Sequence, residues 1–332
     1  MNRLSGGSRG FALVLVLWVI ALLTVVAGSF AFAMRTETEL TGNLVARSQA
    51  EALAEGGLRV GVARLLEPEF AKRWRADGTR YDIEIAGQPV AVAVISERGK
   101  VDLNRATESL LRAVVMHAAE ESGDELGEER LVDAILDWRD GNRNRRLTGA
   151  EDADYQAAGK PYGARDGPFV SVEELTQVLG MTTAVYRKLA PLVTVHGGRS
   201  RIDPGTAPRS VLLALPAVTE EQVDAYVNAR DTAASNGIAP SVELLAGGTD
   251  LLSAASAPGT VTSGTFTVLA TAKVGNAQAT RAIVVRARAT RSVSRRRNAA
   301  RQLRLPYTVI AWTDQPHDKM AETTVSQAQQ VQ

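Results

Sequence analysis

The chain has 332 residues, 38 of them Lys or Arg and 37 Asp or Glu, for a formal net charge of +1; it holds three histidines and no cysteine. That length allows one or two compact domains beyond any anchor. The balanced charge leaves no overall footprint for nucleic acid or an acidic partner, and the missing cysteine excludes disulfides, thiol catalysis and cysteine-ligated zinc.

The first element is apolar. A leader with Arg3, Arg9 and no acid meets Phe11, and the run from Phe11 to Met34 carries no charge over 24 residues. A helix needs roughly 20 apolar residues to cross a bilayer, whereas a secretory signal has a core of about 7–15. Residues 11–34 therefore read as a transmembrane segment, with cleavage at the small residues of Ala27–Ala31 as the alternative. Arg3 and Arg9 precede the run; Arg35 follows it, but Glu37 and Glu39 come close behind, so the N-terminus belongs in the cytoplasm. The helical pattern continues through residues 35–67, where Leu40, Leu44, Leu58, Val62, Leu65 and Leu66 share a broad face. Gly56-Gly57 weakens that helix and Pro68 stops it. Unbroken, it would run about 85 Å.

Two alternating runs follow, "RYDIEIAG" and "QPVAVAVIS", joined at "AGQP"; they predict a hairpin. Strand signals return in "GTFTVLATAKVGNAQATRAIVVRARA", with a turn near Asn276, and in "LPYTVIAWT". Residues 101–258 between them read as mostly helical. The expected architecture is one sheet, built from residues 80–100 and 259–315 and interrupted by a helical insertion. A separate downstream helical domain would leave the last strands unpaired. The Arg-rich stretch at 291–304 reads as a solvated loop, and 316–332 as a flexible tail.

Within the insertion, "GKVDLNRATESLLRAVV", "SRIDPGTAPRSVLLALPAV" and "DGPFVSVEELTQVLGMTTAVYRKLAPLVTV" resemble helix-hairpin-helix, or SAM-like, units. In nucleic-acid binders such hairpins carry Gly-x-Gly, so that backbone N–H groups meet phosphate. The turns here are Leu179–Thr182 and Leu215–Val218, without paired glycines, and Glu173, Glu174, Glu220, Glu221 and Asp224 surround them. A phosphate tracker needs a basic stripe instead, so these units read as packing modules.

The acidic loop, residues 137–169, carries the most chemistry. Asp137, Asp140, Asn142, Asn144, Glu151, Asp152 and Asp154 fall within eighteen positions. Calcium takes six to eight oxygens from such loops, and Asp140, Asn142, Asn144 and Glu151 stand at EF-hand positions 1, 3, 5 and 12. Arg145 stands where an EF-hand needs glycine, which argues against a true EF-hand. The competing reading pairs the acids with Arg143, Arg145 and Arg146, and the pattern alone does not choose. No catalytic machinery is legible. His117, His196 and His317 lie beside no nucleophile elbow, and there is no P-loop or H-E-x-x-H.

Taken in order, these features resemble the K-type minor pseudopilins of type II secretion. A basic leader ending in Gly10, then Phe11 and an apolar helix, resembles a prepilin junction. The resemblance implies cleavage between Gly10 and Phe11 by the prepilin peptidase, and methylation of the new amine. Most pilins carry Glu at the fifth mature position; here that position is Leu15, the replacement found in the K type. The loop motifs "DWRD" (Asp137–Asp140) and "GAED" (Gly149–Asp152) resemble that family's calcium-binding insertion, which favours a structural calcium ion. The implied fold is α+β: a long transmembrane spine helix on a pseudopilin antiparallel sheet, interrupted by a SAM-like insertion. The implied partners are the I- and J-type minor pseudopilins, the major pseudopilin, the prepilin peptidase and the inner-membrane assembly platform. The implied location is the bacterial inner membrane, single-pass, with a periplasmic C-terminal domain. Two other readings stay in view: a membrane-tethered helix-hairpin-helix DNA binder, and a minor pilin of a type IV pilus.

Overall fold

A computed structural model describes residues 9–123, 128–257, 263–288 and 307–313. The leader up to residue 8, the Arg-rich stretch 291–304 and the tail 316–332 lie outside the described residues. Helix α1 runs from Arg9 to Leu65, 57 residues, or about 85 Å at 1.5 Å per residue. It is long and apolar enough to cross a membrane, and its most apolar stretch is wholly exposed. It ends three residues before Pro68.

The far half of α1 is bound to a sheet. Ala50, Ala54, Leu58, Val62 and Leu65 are buried, and their spacing of three or four residues makes one stripe. The sheet has five antiparallel strands in the order β1 (Asp77–Ile85), β2 (Gln88–Ser96), β5 (Gly264–Val274), β6 (Ala277–Ala287), β7 (Tyr307–Thr313). Ile85 pairs with Gln88, so Ala86 and Gly87 form a two-residue turn. Both have positive φ, 51° and 74°, the hairpin geometry whose twist matches its strands. Strand β2 pairs with β5 from Val90–Ala272 to Ser96–Phe266, so the sheet closes across everything between.

Gly57, one of the pair expected to weaken the helix, and Gly61 are contact points in an unbroken α1. A Cβ on Gly57 would stand 2.8 Å from Val90 Cγ1 and 2.9 Å from Ala270 Cβ; one on Gly61 would stand 2.5 Å from Val268 Cγ1. The bare backbone lets α1 lie against the sheet, and that packing outweighs the roughly 1 kcal/mol that each glycine costs a helix.

Between β2 and β5 the chain builds a second core of its own, from Val101 to Leu252. Its elements are β3 (Val101–Asp102), α2 (Glu108–Ser122), α3 (Glu128–Arg139), α4 (Asp152–Ala157), α5 (Thr183–Leu189), β4 (Val193–Thr194), α6 (Arg209–Leu213) and α7 (Glu220–Ser235). A 3₁₀ segment at Val242–Leu251 follows. Threonines begin three of the helices: Thr107, Thr182 and Thr219 each accept from the backbone N–H three residues on, satisfying a donor the helix leaves open. Strand β3 pairs in parallel with β4, and α2 packs against both α3 and α5.

Two polar hubs join insertion to sheet. Glu97, just after β2, is buried; it accepts from Thr194 on β4 and, at 2.7 Å, from Thr267 on β5. Burial alone would raise its pKa, but Lys100 at 3.3 Å and the two hydroxyls hold it below the usual value. At the start of β1, Asp77 lies 3.2 Å from Arg75 and 3.7 Å from Arg230 of α7, while Arg75 reaches Asp231 at 2.8 Å. Arg230 is buried and donates to the carbonyls of Pro204 and Ala207.

Candidate functional site

The acidic loop leaves the end of α3 over an aromatic floor. Trp138 stacks on Phe169 at 6.3 Å and lies 5.7 Å from Tyr155 and 6.4 Å from Tyr162. The Asn104 side chain fastens Phe169 at both ends, donating to its carbonyl at 3.0 Å and accepting its N–H at 2.7 Å. The loop is thus fixed at its first and last turns, 32 residues apart in sequence.

Arginines engage several of the predicted ligands. Asp137, fully buried, accepts from the Arg146 backbone N–H at 3.2 Å and from its guanidinium at 3.1 Å; the same Nη1 reaches Asp140 at 3.1 Å. Burial still raises the Asp137 carboxyl above its ordinary range, against the pull of Arg146. Asp140 also accepts from the Asn142 amide nitrogen at 2.7 Å, and Asn142 Oδ1 from the Asn144 backbone at 2.8 Å. Asp154 caps Glu151 N at 3.0 Å and pairs with Arg145 at 2.9 Å; the Glu151 backbone N–H, then Arg145, hold its carboxyl below the usual value. The side chains of Asn142 and Asp154, and the backbone N–H of Asn144, are therefore engaged within the loop's turns.

Glu151 is different. It is buried, and neither carboxylate oxygen has a hydrogen-bond partner. Desolvation first, then the charges of Asp137, Asp166, Asp140 and Asp152, push its pKa up to about 7. Asp166, absent from the sequence prediction, joins this group: its Oδ1 is also buried and unpartnered, while Oδ2 accepts from Arg143 at 3.3 Å. Asp166 holds a left-handed φ of 54°, uncommon for a residue with a side chain. Two glycines let the backbone press on the acids. A Cβ on Gly149 would fall 1.9 Å from Asp137 Oδ2, and one on Gly163 1.8 Å from Asp152 Oδ1. Gly149 belongs to the "GAED" motif; Gly163 carried no sequence signal.

The arrangement is a surplus of buried negative charge, only partly met by Arg146. Such a group needs a proton or a cation. Its donors are all carboxylate oxygens, the chemistry of a hard cation. Among the described residues, no three of these acids converge as a finished metal cage.

At the other end of the molecule, Gly10 and Phe11 lie in the first turn of α1. There the leading N–H groups have no intrahelical partner. Leu15 is exposed within the apolar stretch.

Residues 99–198 match the family model for type II secretion system protein K. The type II secretion system protein K of Klebsiella pneumoniae is 28% identical over 204 residues, covering 56% of this chain and 62% of its own length. That of Pseudomonas aeruginosa is 26% identical over 251 residues, covering 68% and 73%. The match thus spans less than two thirds of the Klebsiella protein. The crystal structure of the GspK-GspI-GspJ complex from the type 2 secretion system of enterotoxigenic Escherichia coli aligns to 84% of this chain and 98% of that one. Its TM-score is 0.44 and its identity 17%.

Proposed function

We propose that this chain, a relative of protein K of the type II secretion system, works as a K-type minor pseudopilin. The observation that carries the reading is the protein K match over residues 99–198, set between the strands of a sheet whose spine helix is long and apolar enough to cross a membrane. In this reading α1 holds the subunit in the inner membrane with its N-terminus in the cytoplasm. Prepilin peptidase cuts between Gly10 and Phe11 and methylates Phe11. Leu15 replaces the buried glutamate that would need a partner amine in the bilayer, which suits a subunit with no neighbour above it. The insertion, wider than the spine, blocks further stacking. The chain therefore sits at the tip and, with the I- and J-type subunits, starts a short periplasmic filament of major pseudopilin on the assembly platform. The filament supports export of folded proteins, and the role is structural, not enzymatic.

The SAM-like character of the insertion belongs to the same proposal. So does calcium, which Glu151 and Asp166 would hold with Asp137, Asp140 and Asp152. The orphaned oxygens of Glu151 and Asp166 support it. The ion would neutralise the buried carboxylates and order the loop against its aromatic floor. The rival nucleic-acid reading has no support from the family match, and the turns lack its glycines.

The test is a deletion strain. Loss of this chain should leave folded secretion substrates in the periplasm, and the wild-type chain should restore export. Unchanged secretion without it would contradict the reading.

A further inference from the structure

We infer that the membrane-distal end of the sheet, where Arg98, Arg199, Arg286 and Arg288 gather, is a docking surface for an extended acidic segment of another protein. The near-zero net charge conceals a segregation. From Leu251 to Thr313 the sequence has ten Lys and Arg and no Asp or Glu, whereas residues 101–250 carry 24 acids and 15 bases. Gly57 of α1 stands against Ala270, and Gly61 against Val268. Strand β5 therefore descends toward the apolar stretch of α1, and its first residue, Gly264, marks the far end. Gly264 pairs with Ala287, and Thr265 with Arg286, so Arg286 and Arg288, both exposed, flank the end of β6. Arg98 lies in the turn Glu97–Gly99 that follows β2. A Cβ on Gly264 would stand 3.4 Å from Arg98 Nε, so the guanidinium lies across the start of β5. The loop at 199–203 joins it: the Asp203 N–H donates to the Arg98 carbonyl at 2.9 Å, and the Arg199 charge acts on Arg98.

Elsewhere arginines are answered: Arg143, Arg145, Arg146, Arg165 and Arg209 each meet a carboxylate. Among the described residues, none of these four does. The acid whose charge Arg98 feels, Asp203, is buried and already engaged. Its Oδ1 accepts from the N–H groups of Gly205 and Ser256, and its Oδ2 from the Ser256 hydroxyl. Burial first, then Arg199, pulls the Arg98 guanidinium below its ordinary pKa, against Asp203. Like charges held together without a counter-charge favour an incoming anion, and the arginine fork suits carboxylate. The shape of the surface selects the anion. Arg98 and Arg288 stand about 10 Å apart across two strand spacings, too wide for one phosphate. Arg286 and Arg288, two residues apart, match the roughly 7 Å repeat of side chains along one face of an extended chain. Inner-membrane phosphates are out of reach, since Arg35 to Leu65 rises about 45 Å. A long nucleic acid would run on past the surface into the acidic insertion. A short run of Asp or Glu fits without that penalty.

The inference goes beyond the pseudopilin reading and takes from it only the membrane anchor. The probe is a short fluorescent peptide of alternating Glu and Ser, titrated by anisotropy with the full-length protein in detergent. Arg98→Gln/Arg199→Gln and Arg286→Gln/Arg288→Gln each remove two charges from the surface. Arg47→Gln/Arg59→Gln removes two exposed charges from α1 instead. Each surface pair should weaken peptide binding by about tenfold, and the α1 pair by less than about twofold. Should the partly buried Arg98 disturb folding, the exposed Arg286 and Arg288 still decide. Absence of binding by the wild-type chain overturns the surface, as does binding that survives both surface pairs or falls equally with the α1 pair. Tighter binding of a single-stranded oligonucleotide of equal charge overturns it in favour of nucleic acid. Self-association of the chain that both surface pairs abolish overturns it in favour of a second copy.

Discussion

Gly61→Val should destabilise the helix–sheet unit by about 2–3 kcal/mol, the upper part of the range of about 1–3 kcal/mol for forced overpacking of a core. The new Cβ alone would stand 2.5 Å from Val268 Cγ1 and 3.0 Å from Val92 Cγ1, inside any real contact distance. Both neighbours are buried β-branched residues with restricted χ1, so the helix must lift away. The gain in helix propensity from removing glycine, at most about 1 kcal/mol, does not offset this. Gly42 gives the matched control: nothing lies within 4 Å of its would-be Cβ, so Gly42→Ala should stabilise by up to about 1 kcal/mol. Denaturant unfolding of the detergent-solubilised protein reads both. Equal midpoints for Gly61→Val and wild type would mean that α1 does not approach the sheet as described.

The second large effect is at Glu151, and its sign is unusual for the ligand proposed. Its carboxyl titrates near 7 in the fold against an ordinary 4.5. Between those values the folded chain keeps a proton that the unfolded chain has lost. Stability therefore falls as pH rises from 4.5 to 7, and the full cost, about 3 kcal/mol, is present above pH 7. Glu151→Gln removes the titration while keeping the shape. Without calcium the variant should be more stable than wild type at pH 7.5, by about 2–3 kcal/mol, and should match it near pH 4.5. With millimolar calcium the order should reverse, because the ion stabilises only the chain that binds it. Thermal unfolding across pH, with and without calcium, reads this. Superimposed profiles for wild type and Glu151→Gln would show that Glu151 bears no charge conflict, and a calcium response that survives the substitution would remove it from the site.

The sheet was legible because its signals are local. Alternation at Tyr81, Ile83 and Ile85, the Ala86-Gly87 turn and the break at Gly275-Asn276 each sit within a few residues of what they determine. That residues 80–100 and 259–315 build one sheet was inferred by elimination; the pairing of β2 with β5 was not legible, since Glu97 and Thr267, which meet across it, stand 170 residues apart. Gly57 and Gly61 show the limit of propensity: in sequence they weaken a helix, and in the fold they set its distance from the sheet. The acidic loop was located by composition, and Arg143, Arg145 and Arg146 were named as the competing partners of its acids, as the structure has them; which arginine takes which acid was not legible. Arg146 takes Asp137 and Asp140, while Asp166 enters from between Tyr162 and Phe169. Nothing in the spacing marks Asp166, because its place depends on Asn104 holding Phe169 from 65 residues away.

The central claim, that this is a pseudopilin, is tested most directly by the intact mass and N-terminal sequence of the protein extracted from membranes. The account predicts a chain that begins at Phe11 and carries one methyl group on its amine. A chain that keeps Met1, or one that begins near residue 30 after ordinary signal cleavage, would contradict it.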